Sequence, residues 1–217
     1  MQHENRAELE HFTSMLSEQN YPHLYQAFMK NAVAKRFEAG EIIVFQEETT
    51  QRLGYLASGD AEVHITSFEG DTIIAERFSP GSLLNGPRYI DGKASPVDVI
   101  AIQPCTVLFL PYRMLRSDPV LDAETMRLVA HSAAALFRLA EKAYRAAMLL
   151  PLKERIIHRL FLLKDENNNV DITAEKLAHY LGVSKYKIHR SLNELEKGKR
   201  IVNTYGSVTL VESELNE

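Results

Sequence analysis

Hydrophobic positions change their period twice along the chain. Up to about residue 32 they fall at steps of three and four, at Leu9, Phe12, Met15 and Leu16 and again at Leu24, Phe28 and Met29. This predicts weakly amphipathic helix, with Pro22 starting a second short helix. From Val33 the period shortens to alternation. KRFEAGEIIVFQEE predicts a strand, a turn at Gly40 and a strand. RLGYLASGDAEVHITSFEGDTIIAERFSPGSLL has turn signals at Ser58-Gly59-Asp60, Glu69-Gly70-Asp71 and Ser79-Pro80-Gly81, with alternating stretches such as Ala61 to Ile65 between them. ASPVDVIAIQPCTVLFLP continues in that style. Short strands at intervals of about ten residues predict an antiparallel β-roll or barrel.

After Pro119 the helical period returns. From Ala123 to Leu150 there is no Gly or Pro, and two apolar seams overlap. One runs through Met126, Ala130, Ala133, Phe137, Ala140, Tyr144 and Ala147. The other runs through Val129, Ala133, Leu136, Ala140, Ala143, Ala147 and Leu150. An isolated helix on one domain needs a single seam, so two predict that one side packs on the roll and the other on a partner helix. Pro151 opens the next helix, Glu154 to Lys164, and Asp165 to Asn169 reads as a polar turn.

Residues 172–200, ITAEKLAHYLGVSKYKIHRSLNELEKGKR, then read as a helix-turn-helix. Thr173 is the expected N-cap of a first helix, Ala174 to Leu181, and Ser184 that of a second, Lys185 to about Lys197. Gly182 between them can take the positive φ that a sharp turn needs. Ile188, Leu192 and Leu195 lie within ~60° of one another on the second helix, and Tyr186, His189, Arg190 and Asn193 share a separate arc of ~100°. Leu177, Leu181 and Val183 complete a small core. RIVNTYGSVTLVE predicts a hairpin wing around Tyr205-Gly206-Ser207.

Charge sharpens this picture. The net charge of −4 does not mark a nucleic-acid binder, but residues 149–217 carry 11 Lys/Arg against 10 Asp/Glu. Residues 184–200 hold six Lys/Arg against two Glu. Basic charge is thus concentrated on the second helix of the motif, where long polar side chains suit phosphates and base edges. One cysteine, Cys105, excludes an internal disulfide and a four-cysteine cluster, and its apolar strand predicts a buried thiol. The eight histidines show no tight metal-ligand spacing, and no catalytic constellation or Walker loop is visible. No catalytic residue, metal or cofactor is expected. No apolar run is long enough for a membrane span, and the polar, acidic N-terminus is unlike a signal peptide, so a cytoplasmic protein is expected.

In this order of parts the chain resembles the CRP/FNR family of bacterial transcription regulators. The resemblance rests on FEAGEIIVFQE, the stretch from Gly54 to Leu84, LPLKERIIHRLFLL after the long helix, and LAHYLGVSKYKIHRSLNELEKGKRI. It implies a homodimer on an inverted repeat, with one recognition helix per subunit in the major groove and RNA polymerase as a candidate partner. Arg190 matches the arginine with which the family reads guanine, Ser184 is placed for a phosphate, and Lys185 holds an often basic position. Tyr186 stands where many members have a glutamate, so a different half-site is expected. Thr173, Asn203 and Tyr205 are candidates for backbone contact. The family's cyclic-AMP site uses Gly-Glu and Arg-Ser/Thr pairs, but here Asn85-Gly86 and Ser95-Pro96 stand in their places. Tight cyclic-nucleotide binding is therefore not expected, and Arg88 reads as a surface residue.

The expected fold is α+β: N-terminal helices and a jelly-roll-like β-roll sensor over residues 1–122, a long dimerisation helix over 123–150, and a winged helix-turn-helix over 151–217. The expected DNA-binding residues are Thr173, Ser184, Lys185, Tyr186, Lys187, His189, Arg190 and Asn193, with an unidentified effector. The alternative is a ligand-binding or protein-interaction module whose helix-turn-helix does not read DNA.

Overall fold

The computed structural model describes residues 16–211, which fall into two compact units parted within one long helix between Leu139 and Ala140, with residues 72–74 grouping with the second. The helix predicted around Leu9, Phe12 and Met15 lies outside the described residues.

The first unit opens with α1 (Pro22–Asn31). Pro22 occupies the first turn, where a missing N–H costs nothing. The N–H of Leu24 donates to Glu124 Oε2 at 2.8 Å, and His23 Nδ1 lies 2.9 Å from the other carboxylate oxygen. A carboxylate at a helix N-terminus satisfies an orphan donor and complements the dipole. There follow β1 (Val33–Phe37), β2 (Ile42–Val44), β3 (Arg52–Ser58), β4 (Ala61–Thr66), β5 (Thr72–Phe78), β6 (Leu83–Leu84), α2 (Gly86–Asp91), β7 (Asp98–Ala101) and β8 (Cys105–Pro111). They make two four-stranded sheets, ordered β1-β8-β3-β6 and β2-β7-β4-β5, which are the two walls of the expected antiparallel β-roll. Alternation sorts the side chains. On β8, Cys105, Val107 and Phe109 point into the roll with Phe37, Leu56 and Val63, whereas Leu108 and Leu110 point outward to Leu24, Phe28 and Leu53. Cys105 is buried as expected, its thiol 3.2 Å from the carbonyl oxygens of Asp60 and Gln103.

Helix α3 (Tyr112–Ser117) and α2 have six residues each, too few for a helical period to show in the sequence. The long helix α4 (Pro119–Leu149) starts ahead of the expected Ala123. Asp118 Oδ1 accepts from the N–H groups of Val120 and Leu121 at 2.8 and 3.3 Å, so a side-chain cap extends the helix back to Pro119. One face of α4 buries Thr125, Leu128, Val129 and Ser132, with Leu136 half-buried against the roll interior. The seam through Val129 and Leu136 is therefore buried only in its first half, since Ala140, Ala143, Ala147 and Leu150 further along it are exposed. On the other seam Met126, Ala130, Phe137, Ala140, Tyr144 and Ala147 are exposed, Phe137 at 72%.

The second unit contains α5 (Leu152–Leu163), β9 (Asn169–Asp171), α6 (Ala174–Leu181), α7 (Lys185–Lys197), β10 (Ile201–Thr204) and β11 (Ser207–Leu210). The expected hairpin wing is present as β10 and β11, paired antiparallel from Ile201–Leu210 to Thr204–Ser207, and β9 adds an unexpected third strand beside β11. Its third strand is masked in the sequence by the polar run Asn167 to Asn169. Asn169 Oδ1 accepts from the hydroxyls of Ser207 and Thr209 at 2.6 and 3.1 Å, while Val170 faces Val208 across the ladder. Ile156, Leu160, Leu177, Ile188, Leu192, Leu195, Ile201 and Val208 form the buried core.

Arg200, after α7, grips Glu154 of α5 with two hydrogen bonds of 2.7 and 3.0 Å, and this contact holds the Glu154 carboxyl below the usual carboxylate range. A carboxylate whose folded value is lowered stabilises the fold above its unfolded value and loses that effect as pH falls through the folded one. Glu154→Gln should therefore lower the urea midpoint at neutral pH by an amount equivalent to about 1 kcal/mol or less, since the pair is partly exposed. Repeating the titration at acid pH should bring the variant and the wild type together; a gap that persists there would exclude this pair as its source.

Candidate nucleic-acid interface

Thr173 is a working N-cap: its Oγ1 accepts from the N–H of Lys176 at 3.1 Å. Helix α6 ends at Gly182, whose φ of +62° any side chain would strain, and whose N–H donates to the Ala178 carbonyl. Arg155 of α5 closes the same helix end by donating to the Leu181 carbonyl at 2.6 Å. Ser184 has the extended backbone of an N-cap, but its hydroxyl makes no cap hydrogen bond, so the expected cap is realised in the main chain alone.

On α7, Ile188, Ser191, Leu192 and Leu195 are buried. Lys185, Tyr186, Lys187, His189, Arg190 and Asn193 are all exposed, and so are Thr173 and Ser184. Tyr186 keeps 76% of its surface, which rules out a core role within the chain. A groove of about 620 Å³ runs between the start of α6, α7 and the wing, with Thr173, Lys185, His189, Asn203 and Tyr205 on its walls. It brings Thr173 beside the outer arc of α7. The main-chain N–H of Asn203 donates to Glu196 Oε1 at 3.0 Å, fastening the wing to the end of α7, and Tyr205 stands fully exposed at the wing tip.

Three partners of this surface escaped the sequence reading. Lys185 Nζ lies 3.2 Å from Glu175 Oε2, Arg190 Nε lies 3.2 Å from Glu194 Oε1, and Lys153 Nζ of α5 lies 3.3 Å from Glu194 Oε2. The Arg190–Glu194 spacing of four was legible as a helix pair. The other two pairs join separate helices and had no sequence signal. Hydrogen bonds from Arg190 and then Lys153 hold the Glu194 carboxyl below the usual carboxylate range. The face therefore combines cations, amide and guanidinium donors, and two fixed carboxylates on a helix edge anchored from behind. Such an edge suits phosphates and base edges.

In the first unit, the segment standing where the family's nucleotide site would be is closed on itself. Asn85 is left-handed (φ +62°), and its carbonyl accepts from the Tyr112 hydroxyl at 2.6 Å. A Cβ on Gly86 would meet Leu83 Cδ2 at 3.2 Å and Val129 Cγ1 at 3.4 Å, so there is little open space beside the place of the family's glutamate. Ser95 Oγ donates to the Val97 carbonyl at 2.8 Å. Arg88, expected at the surface, is only 9% exposed. It donates to the carbonyls of Thr50 and Lys93, both at 2.7 Å, because α2 turns it back onto the loops at either side. Those residues do not fit the family's cyclic nucleotide. Among the described residues no group of His, Cys, Asp or Glu converges to hold a metal, and no helix is long and apolar enough to cross a membrane.

Residues 34–117 match the family model of the cyclic nucleotide-binding domain. No curated protein matches the chain by sequence. Among solved structures, the c-di-GMP responsive global regulator CLP of Xanthomonas campestris is similar at 14% identity and a TM-score of 0.77, covering 87% of this chain and 98% of its own. A putative CRP/FNR-family transcriptional regulator from Eubacterium rectale is similar at 17% identity and a TM-score of 0.76, with 94% and 99% covered. A CRP-family transcriptional regulator from Thermus thermophilus gives 22% and 0.68, with 84% and 97% covered. The fold is that of CRP/FNR-type regulators: a cyclic nucleotide-binding-like roll, α+β overall, with a C-terminal helix-turn-helix.

Calorimetric titration of the purified protein with cyclic AMP should give no saturable heat in the micromolar range. Saturation there would refute the closed reading of residues 85–97.

Proposed function

We propose that this protein is a sequence-specific DNA-binding transcription regulator, acting in the cytoplasm as a homodimer on an inverted repeat, with α7 in the major groove. The observation that carries this reading is the division of α7. Its apolar positions are buried, and the first two turns leave Lys185, Tyr186, Lys187, His189 and Arg190 outside, followed by Asn193, with Glu194, Glu196 and Lys197 exposed towards the helix end. An interaction module that ignores DNA has no need of that set on one arc. Lys185, Lys187 and the Ser184 hydroxyl serve phosphates. Arg190, His189, Asn193 and Tyr186 face base edges, and Thr173 and the wing, through Asn203 and Tyr205, flank the backbone on either side.

Dimerisation through α4 supports the same reading. The exposed seam of Met126, Ala130, Phe137 and Tyr144 gives a second copy a continuous apolar strip with small residues for close approach. Two recognition helices related by a two-fold axis address half-sites about one helical turn apart, ~34 Å. The roll serves as a sensor of a ligand other than cyclic AMP. RNA polymerase is a candidate partner.

Selection of duplexes from a random library with ligand-free protein should enrich an inverted repeat. On that repeat Arg190→Ala should lose about 1–3 kcal/mol of discrimination at one base position. Lys199→Ala, at an exposed lysine just past the end of α7, should weaken all sequences alike and flatten the salt slope by about one. Even losses across sequences for both variants would remove Arg190 from base reading, and no enrichment with or without cell extract would favour the interaction module.

Phe137→Glu should convert the dimer to monomer in sedimentation experiments while leaving the circular dichroism spectrum intact. A variant that stays dimeric would place the contact elsewhere.

A further inference from the structure

A guanidinium offers two donor pairs, a side pair of Nε with one Nη and an end pair of Nη1 with Nη2. Either can grip two acceptors such as guanine O6 and N7. On α7 the choice is already made. Arg190 Nε lies 3.2 Å from Glu194 Oε1, so the side pair is engaged inside the protein and the end pair is left for a ligand. Glu194 Oε2 lies 3.3 Å from Lys153 Nζ, and Lys153 stands on α5, which Ile156 and Leu160 anchor in the core of the same unit. The chain of contacts thus runs from a packed helix, through a lysine and a carboxylate, to the tip of an arginine that is otherwise 73% exposed.

We propose that Glu194, held by Lys153, aims Arg190 so that only its end pair meets the base, making Glu194 and Lys153 positioning residues for base choice; this rests on the DNA-binding reading above. The sign of the charge argues for geometry over affinity. A carboxylate beside a phosphate backbone repels all DNA, so Glu194 weakens binding in general and is useful only for where it holds the arginine.

The test compares full-length wild type, Glu194→Ala, Glu194→Gln and Lys153→Met on three duplexes: the selected repeat, the repeat altered at the base read by Arg190, and a random sequence. Glu194→Ala should lose about tenfold of the discrimination between the first two duplexes, while binding the random duplex as tightly as wild type or more tightly. Glu194→Gln, which keeps an acceptor for Nε, should retain part of it. Lys153→Met should lose discrimination without any change on α7 itself, and Glu194→Ala added to Arg190→Ala should change nothing further at that base. A merely structural role would weaken all three duplexes together. Wild-type discrimination in Glu194→Ala would overturn the proposal and leave the DNA-binding reading standing. A wild type that prefers no duplex would overturn the DNA-binding reading, and this proposal with it.

Discussion

Burial of Ile188, Leu192 and Leu195 is what allows α7 to be polar everywhere else. Each such side chain contributes roughly 1.5–3 kcal/mol on leaving water. Ion pairs on the surface of the same unit, such as Lys185–Glu175 or Arg190–Glu194, are screened by solvent and contribute far less. Apolar anchoring therefore decides where the helix lies, and the charges decide only how its outer side chains are aimed. A helix held from one side can spend its whole opposite arc on recognition. Gly182 and Arg155 complete the arrangement by ending α6 sharply enough for α7 to turn away from it.

The first unit depends on a different constraint, the crowding between the roll and α4. Val129 is fully buried and would stand 3.4 Å from a Cβ on Gly86. Leu83 approaches the same point more closely, at 3.2 Å, so the start of α2 is packed by both β6 and the long helix. Arg88, on the same short helix, is buried as well. Its guanidinium ties the Thr50 and Lys93 carbonyls together.

The two seams of α4 share alanines but have unequal fates. Alanine contributes little burial energy on either side, so Leu128, Val129 and Leu136 determine which side faces the roll. Phe137 and Tyr144 are then left in solvent by the helical period, and large exposed apolar side chains at regular spacing are the mark of a contact surface.

Local pattern determined a great deal. Alternation around Gly40 and Ala61 to Ile65 marked roll strands, and the stripe of Ile188, Leu192 and Leu195 marked α7 with its outward residues, because period and capping are properties of neighbouring residues alone. Tertiary structure decided what neighbours cannot encode. Asn169 to Asp171 became a strand because β11 was there to pair with it. Arg88 became buried because the carbonyl of Thr50, 38 positions away, met it together with that of nearby Lys93. Lys153 and Glu194, 41 positions apart, became partners because two helices packed side by side. That Leu128, Val129 and Leu136 rather than Met126 and Phe137 face the roll was likewise settled by what the roll could bury. Pairing, burial of charge and choice between equivalent faces are all set by which parts of the chain come to lie against one another, and only the folded arrangement contains that information.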